Sequence, residues 1–263
     1  MVALRLRRRW LAMVLWDRWP WWDLASVVVL LGVVAWSWLS PSFERHRGLA
    51  FGGVLLVAVY LVLPFGIRGS FYADMRLLPL ILTVLLVSAR PAPQVSERMF
   101  GALMLGALVF VGARLAGNAV SQRLWGEKTE KTLAMLDAIP RGAALVTLYV
   151  KPCAADDATN PERRAHLGGY ALARRHAFDN GQFILPGGQL LTVHNPAAGA
   201  FEHSNVLATS LTPCPDTQLL SDMVGRIPAT MPWLWVIGLD PRTQLPGWRT
   251  MATSDDAIVF RRP

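Results

Sequence analysis

The chain has 263 residues, of which 53% are hydrophobic and only 17% charged, and its mean hydropathy is +0.34. Soluble globular chains carry about 25% charged residues, so this composition excludes an ordinary soluble domain over the whole length. The net charge of +8 is uneven: residues 1–117 hold 12 Lys+Arg against 5 Asp+Glu, and residues 118–263 hold 14 against 13. The basic character belongs to the apolar half, where arginines at helix ends meet headgroups. The near-neutral second half supplies no basic patch for nucleic acid.

Residues 1–23 read as a basic and Trp-rich interfacial segment. Arg5, Arg7, Arg8 and Arg9 precede only seven apolar residues, Trp10 to Trp16, and no cleavage site for a signal peptide follows. Residues 24–120 read as an α-helical transmembrane bundle of about four spans. Leu24–Leu39 and Leu49–Ile67 are uncharged runs of roughly spanning length. Leu77–Ala89 is thirteen residues, a short span or a re-entrant piece. Met99–Val120 contains Arg114, which either faces a cavity or, the reading its place favours, snorkels to the interface from near the helix end. Its Ala102/Gly106 and Ala113/Gly117 spacings predict close approach of another helix backbone.

Residues 121–263 read as a small α/β domain exposed to water. GEKTEKTLAMLDA (126–138) predicts a helix with Leu133, Met135 and Leu136 on its apolar side. AALVTLYV (143–150), QLLTVHN (189–195), WLWVIG (233–238) and AIVFRR (257–262) predict strands. HLGGYALARRHAF (166–178) and a proline-led stretch near Asp216–Val224 predict helices.

The chemistry-bearing residues are few. Asp74 and Arg76 precede a proline-containing apolar helix, where they either bind a lipid phosphate or cap and anchor the helix. His166, Arg174 and Arg175 are candidates for contact with a phosphate-bearing substrate or a partner, against a plain solvated face. His166, His176, His194 and His203 have no metal-ligand spacing, and no cofactor motif is present. Asp156-Asp157 reads as solvated, and Leu185-Pro186-Gly187-Gly188-Gln189 as a turn. Cys153 and Cys214 form one disulfide if the second half lies outside the cytoplasm, and are inert thiols otherwise. Counting arginine and lysine over the loops puts the second half in the cytoplasm; an odd number of spans reverses this.

ADMRLLPLILTVLL resembles the stretch opening a late transmembrane helix in the GT-C-type glycosyltransferases, which use polyprenyl-phosphate sugars, with Leu77 in the place of an aromatic. PRGAALVTLYVKPC, HLGGYALARRHAF and the terminal WLWVIG and IVFRR resemble the C-terminal region of bacterial polytopic proteins filed near that superfamily. The resemblance implies the C-terminal part of a longer polytopic protein of the bacterial inner membrane, in envelope glycan or lipid-linked sugar metabolism. Its tail would be periplasmic, contacting an acceptor or protein partner. The acidic residues that such enzymes carry in an early loop have no counterpart here, since only Asp17, Asp23, Glu44, Asp74 and Glu97 precede residue 120. Autonomous transferase activity is therefore not expected. The alternative is a non-catalytic membrane-anchored interaction subunit.

Overall fold

The computed structural model describes residues 10–64, 66–67, 70–71, 74–151, 153, 162–181, 193–202, 208–214 and 217–263. Arg5 to Arg9, Arg68, Asp156-Asp157, the 185–189 turn, His203 and most of the strand expected at 189–195 lie outside these residues. The chain divides into two compact units, Met1–Ser121 and Gln122–Pro263.

The first unit is helical. Helix α1 (Pro20–Leu39) starts with proline at its first position and Asp23 in its first turn, both suited to a helix N-terminus. Strand β1 (Phe43–Arg45) leads to α2 (Arg47–Val62), whose N-cap His46 accepts the Leu49 amide. A backbone hairpin of β2 (Gly66–Ile67) and β3 (Ser70–Phe71) precedes α3 (Leu77–Val87). Strand β4 (Ala89–Pro91) then returns to pair antiparallel with β1, and the Glu44–Arg90 ion pair at 2.7 Å lies across that ladder. Helices α2 and α3 are therefore an antiparallel pair whose outer ends are tied together. Trp10, Tyr60, Leu78 and Ile81 form the small core of this unit.

Among the described residues, two helices are long and apolar enough to cross a membrane, α1 and α4 (Glu97–Ala134). The other two expected spans are corrected by the structure. The run expected to reach Ile67 stops at Val62, because Leu63 precedes Pro64 and a residue before proline is disfavoured in the helical region. Helix α2 thus has sixteen residues and α3 eleven, rising about 24 and 17 Å. Conversely, the helices expected separately at 99–120 and 126–138 are continuous through α4. Gly126 costs only about 1 kcal/mol in a helix interior, and Arg123 and Glu127 pair across the same turn at 3.0 Å.

The second unit is a three-layer α/β/α arrangement around a mixed sheet. After a 3₁₀ turn (Met135–Ala138) come β5 (Ala144–Val150), α5 (Glu162–Ala165), α6 (Gly169–Arg175) and β6 (Phe178–Asp179). A kinked 3₁₀ segment (Pro196–Glu202), β7 (Ala208–Ser210), β8 (Gln218–Leu219) and α7 (Leu220–Gly225) follow. Strands β9 (Trp233–Ile237), β10 (Arg249–Ser254) and β11 (Ala257–Arg261) complete the unit. The order is β10-β11-β9-β5-β7-β8, with β6 also on β5. Strands β6, β7 and β9 run parallel to β5, and β10–β11 is an antiparallel hairpin against β9.

Alternation along β5 divides the core. Leu145 and Tyr149 face Leu136, Ile139, Leu167 and Ala171 on one side. Val146, Leu148 and Val150 face Phe201, Met223 and Met231 on the other. Both faces are buried, so β5, β9 and β11 read as continuous apolar runs. Strands β7, β8 and β10, short or polar, gave no such signal. The helix expected at Asp216–Val224 begins only at Leu220, because Gln218–Leu219 joins the sheet beside β7.

Candidate functional site

Along its edge opposite β9, β5 pairs with β6 at its start and β7 at its end. Asn180 fills the gap between them. The Thr147 amide donates to Asn180 Oδ1 at 2.6 Å, and Asn180 Nδ2 donates to the Thr147 carbonyl at 3.1 Å, as a strand residue would. Beside it, fully buried Asp179 accepts from the Thr147 hydroxyl and, at 2.7 Å, from the Gly181 amide. Burial pushes the Asp179 carboxyl up to about 6, and those two hydrogen bonds oppose the rise. A side chain at Gly168 would overlap this carboxylate, which is why the turn into α6 carries glycine there. The group is enclosed, which suits a latch between sheet and α6 rather than a base open to substrate.

Above that turn lies a cleft of ≈500 Å³, lined by Gln122, Trp125, Thr129, Arg164, His166 and Tyr170 among others. The volume is within the range of small-molecule sites. Trp125, Leu167 and Tyr170 contribute apolar surface, and Gln122, Thr129, Arg164 and His166 contribute hydrogen-bonding groups. Among the described residues no carboxylate lines it. Arg164 and Lys128 each lie 2.7 Å from the same Asp256 oxygen, so this node holds one positive charge more than it neutralises.

Of the residues expected to contact substrate, the structure places His166 in this cleft and leaves it exposed. Arg174 instead grips Glu130 of α4 through two contacts of 2.8 and 2.9 Å, with its guanidinium 5.8 Å from the Tyr170 ring centre. Arg175 donates to the Ile139 carbonyl at 2.8 Å and lies 3.8 Å from Asp137. Both arginines tie α6 to neighbouring elements. Sequence reading missed Trp125, Thr129, Tyr170 and Arg164, which come from two segments about forty positions apart.

At the carboxyl ends of β5 and β7, Cys153 and Cys214 are bonded, with a Cα–Cα distance of 5.6 Å, inside the usual disulfide range. The bond joins loops following two adjacent parallel strands. Nearby, Gly238 approaches the Val150 carbonyl so closely that a Cβ would lie 2.7 Å from it, and its φ of 87° also favours glycine.

In the first unit Asp74 and Arg76 do not converge. Asp74 is buried and accepts its neighbour Met75's amide at 2.9 Å, while Arg76 is exposed at the start of α3. The polar centre lies elsewhere. Arg114 does not snorkel: it is buried, with Nη1 2.7 Å from Asp23 Oδ1 and Nη2 2.6 Å from the Leu15 carbonyl. Asp23 also accepts the Asp17 amide at 3.0 Å. The expected helix-to-helix approach at small residues is not seen at Gly106, where a Cβ would meet open space; Gly117 faces Trp22.

Among the described residues, no group of three or more His, Cys, Asp or Glu side chains comes together as a metal site. The fold thus defines a helical unit with, among the described residues, two helices of membrane-crossing length and apolarity, followed by a mixed-sheet α/β unit. No protein-family model, no curated protein and no solved structure matches the chain.

Proposed function

We propose that this is a multi-pass protein of the bacterial inner membrane, acting in envelope glycan or lipid-linked sugar metabolism as a binding module without a catalytic acid of its own. The carrying observation is the Arg114–Asp23 pair, buried in a helical unit whose outward residues include Val28, Val29, Leu55, Leu61, Leu108 and Val109. Charge placed inside and apolar surface outside is the arrangement a bilayer imposes.

In this reading α1 and α4 cross the bilayer, and α2 and α3 enter it as a pair. Because the β1–β4 ladder holds the outer ends of that pair together, it contributes two crossings or none. The chain therefore enters α1 and leaves α4 on the same side whether the spans number two or four. The Cys153–Cys214 bond favours the oxidising side for the α/β unit, against the arginine count. A covalent link requires an oxidant, whereas arginine asymmetry is only a bias, so the disulfide carries more weight.

The resemblance to the C-terminal region of GT-C-like proteins supports a polyprenyl-phosphate sugar as ligand, with exposed Arg76 as the candidate for its phosphate. The purified chain in detergent is expected to bind such a lipid, and Arg76→Ala to weaken binding by roughly tenfold, the scale of one charge-assisted contact. Unchanged affinity leaves Arg76 as an anchor. A chain that stays monodisperse in buffer without detergent removes the membrane reading itself.

A second reading, a membrane-anchored interaction subunit, is favoured by the state of the carboxylates. Asp74 is spent on the turn into α3, Asp179 is enclosed and Asp256 is doubly ion-paired. Binding of a partner protein with no affinity for the lipid would select it.

A further inference from the structure

Within the near-neutral α/β unit, ion-paired charges and arginines without a carboxylate partner among the described residues lie at opposite ends of one hairpin. At the β10–β11 turn, Asp255 and Asp256 meet Lys131 and Lys128 at 3.6 and 2.7 Å. At the other end of the same hairpin, Arg249 and Arg261 are directly opposed across the ladder. Side chains so paired stand about 5 Å apart on one face, and like charges there are destabilising. Arg261 lies opposite Trp233 in the next strand, its guanidinium 5.5 Å from the ring centre.

More arginines share this edge. Arg141 is in the turn that enters β5, and Arg226 follows α7 just before β9. Arg262 stacks 4.6 Å from the centre of the Trp248 ring and donates to the Ile227 carbonyl at 3.1 Å. Among the described residues none of these five arginines has a carboxylate partner; Arg226 holds only Gln218 Oε1, at 3.1 Å. Both arginines of the opposed pair are exposed at the end of the hairpin, where an external anion can reach them and relieve their repulsion.

We propose that this edge, centred on Arg249 and Arg261, docks the α/β unit onto an anionic phospholipid surface. Several guanidiniums along one edge suit a plane of phosphates better than one small anion. Arginine binds phosphate oxygens in pairs, and tryptophan is at home at the headgroup level. The choice of a lipid surface rests on the membrane reading above; the arginine edge does not.

The test uses the full chain in phosphatidylcholine nanodiscs, with a thiol introduced by T250C at the exposed position next to Arg249 and the native disulfide left oxidised. Maleimide labelling of that thiol is followed as vesicles of phosphatidylcholine, with or without phosphatidylglycerol, are added. Only the anionic vesicles should slow labelling. At about 1 kcal/mol per arginine, the vesicle concentration giving half protection should rise roughly 25-fold in R249Q/R261Q. In R249K/R261K, which keeps the charge but loses the paired phosphate contact, it should rise clearly less than in R249Q/R261Q. Equal labelling with both lipids would overturn the proposal. Protection by heparin but not by phosphatidylglycerol would also overturn it, assigning the edge to a soluble polyanion. Failure of the membrane reading is seen separately, as a chain monodisperse without detergent.

Discussion

Arg114 Nη1 lies 2.7 Å from Asp23 Oδ1, across 91 positions of sequence, and the pair joins the middle of α4 to the first turn of α1. Ser26 Oγ stands 3.4 Å from the same nitrogen, and the Leu15 carbonyl takes the other. The guanidinium is thus surrounded by acceptors in a place where an unpaired charge would be very costly.

Removing one partner of this pair should therefore cost far more than removing both. Arg114→Leu alone leaves a buried carboxylate and is expected to lower stability by about 3–5 kcal/mol. The double variant with Asp23→Leu should recover most of that loss, because an apolar replacement carries no uncompensated charge. Thermal unfolding in detergent of the two singles and the double measures the coupling. Additive losses would show that the pair does not act as a unit.

Asp179 sets a pH dependence of unusual sign for a carboxylate. Its folded pKa, about 6, is above the ordinary 3.8, so the folded state holds the proton more tightly than the unfolded chain. The resulting stability is fully present below pH 3.8 and is lost as pH rises through 6. The full excursion is about 3 kcal/mol. Asp179→Asn cannot ionise, so the stability of the variant relative to the parent should improve by up to about this amount between pH 4 and 7. A pH-independent difference would mean that the carboxyl is solvated.

Asn180→Ala should be among the more damaging changes in the α/β unit. It strips partners from both the amide and the carbonyl of buried Thr147. Leaving two buried backbone groups unpaired costs about 2–4 kcal/mol. Denaturant unfolding measures the loss, and hydrogen exchange at the Thr147 amide should accelerate with it. A cost below about 1 kcal/mol would mean that water replaces the side chain.

The bond between Cys153 and Cys214 closes a loop of 61 positions. Loop entropy then predicts a loss of about 4 kcal/mol for the double serine variant. Peptide mapping without reductant should recover the linked pair from the native protein. Complete alkylation of both thiols before reduction would contradict the bond and the placement drawn from it.

How much was legible depended on whether a feature is local. The apolar runs of α1, β5, β9 and β11 are complete within a few residues, and each is visible as an uninterrupted stretch. The short strands β7 and β8 were not visible, because two or three residues carry no period and pairing alone defines them. The same limit hid the cleft. His166 stood out as a histidine, but Trp125 and Tyr170 belong with it only because α4 and the α5–α6 turn face each other within the second unit. Arg174 and Arg175 looked free because Glu130 and the Ile139 carbonyl, which hold them, lie more than thirty positions away.

By itself the sequence determined where apolar surface is concentrated, that the chain changes character near residue 120, and which segments bury a strand. These follow from composition and period, properties of neighbouring residues. Only the tertiary structure decided which charges meet: Arg114 with Asp23, Asp256 with Lys128 and Arg164, and Arg249 opposite Arg261 with no carboxylate partner among the described residues. Coulomb interaction depends on distance in space and on burial. A net charge summed along the chain contains neither.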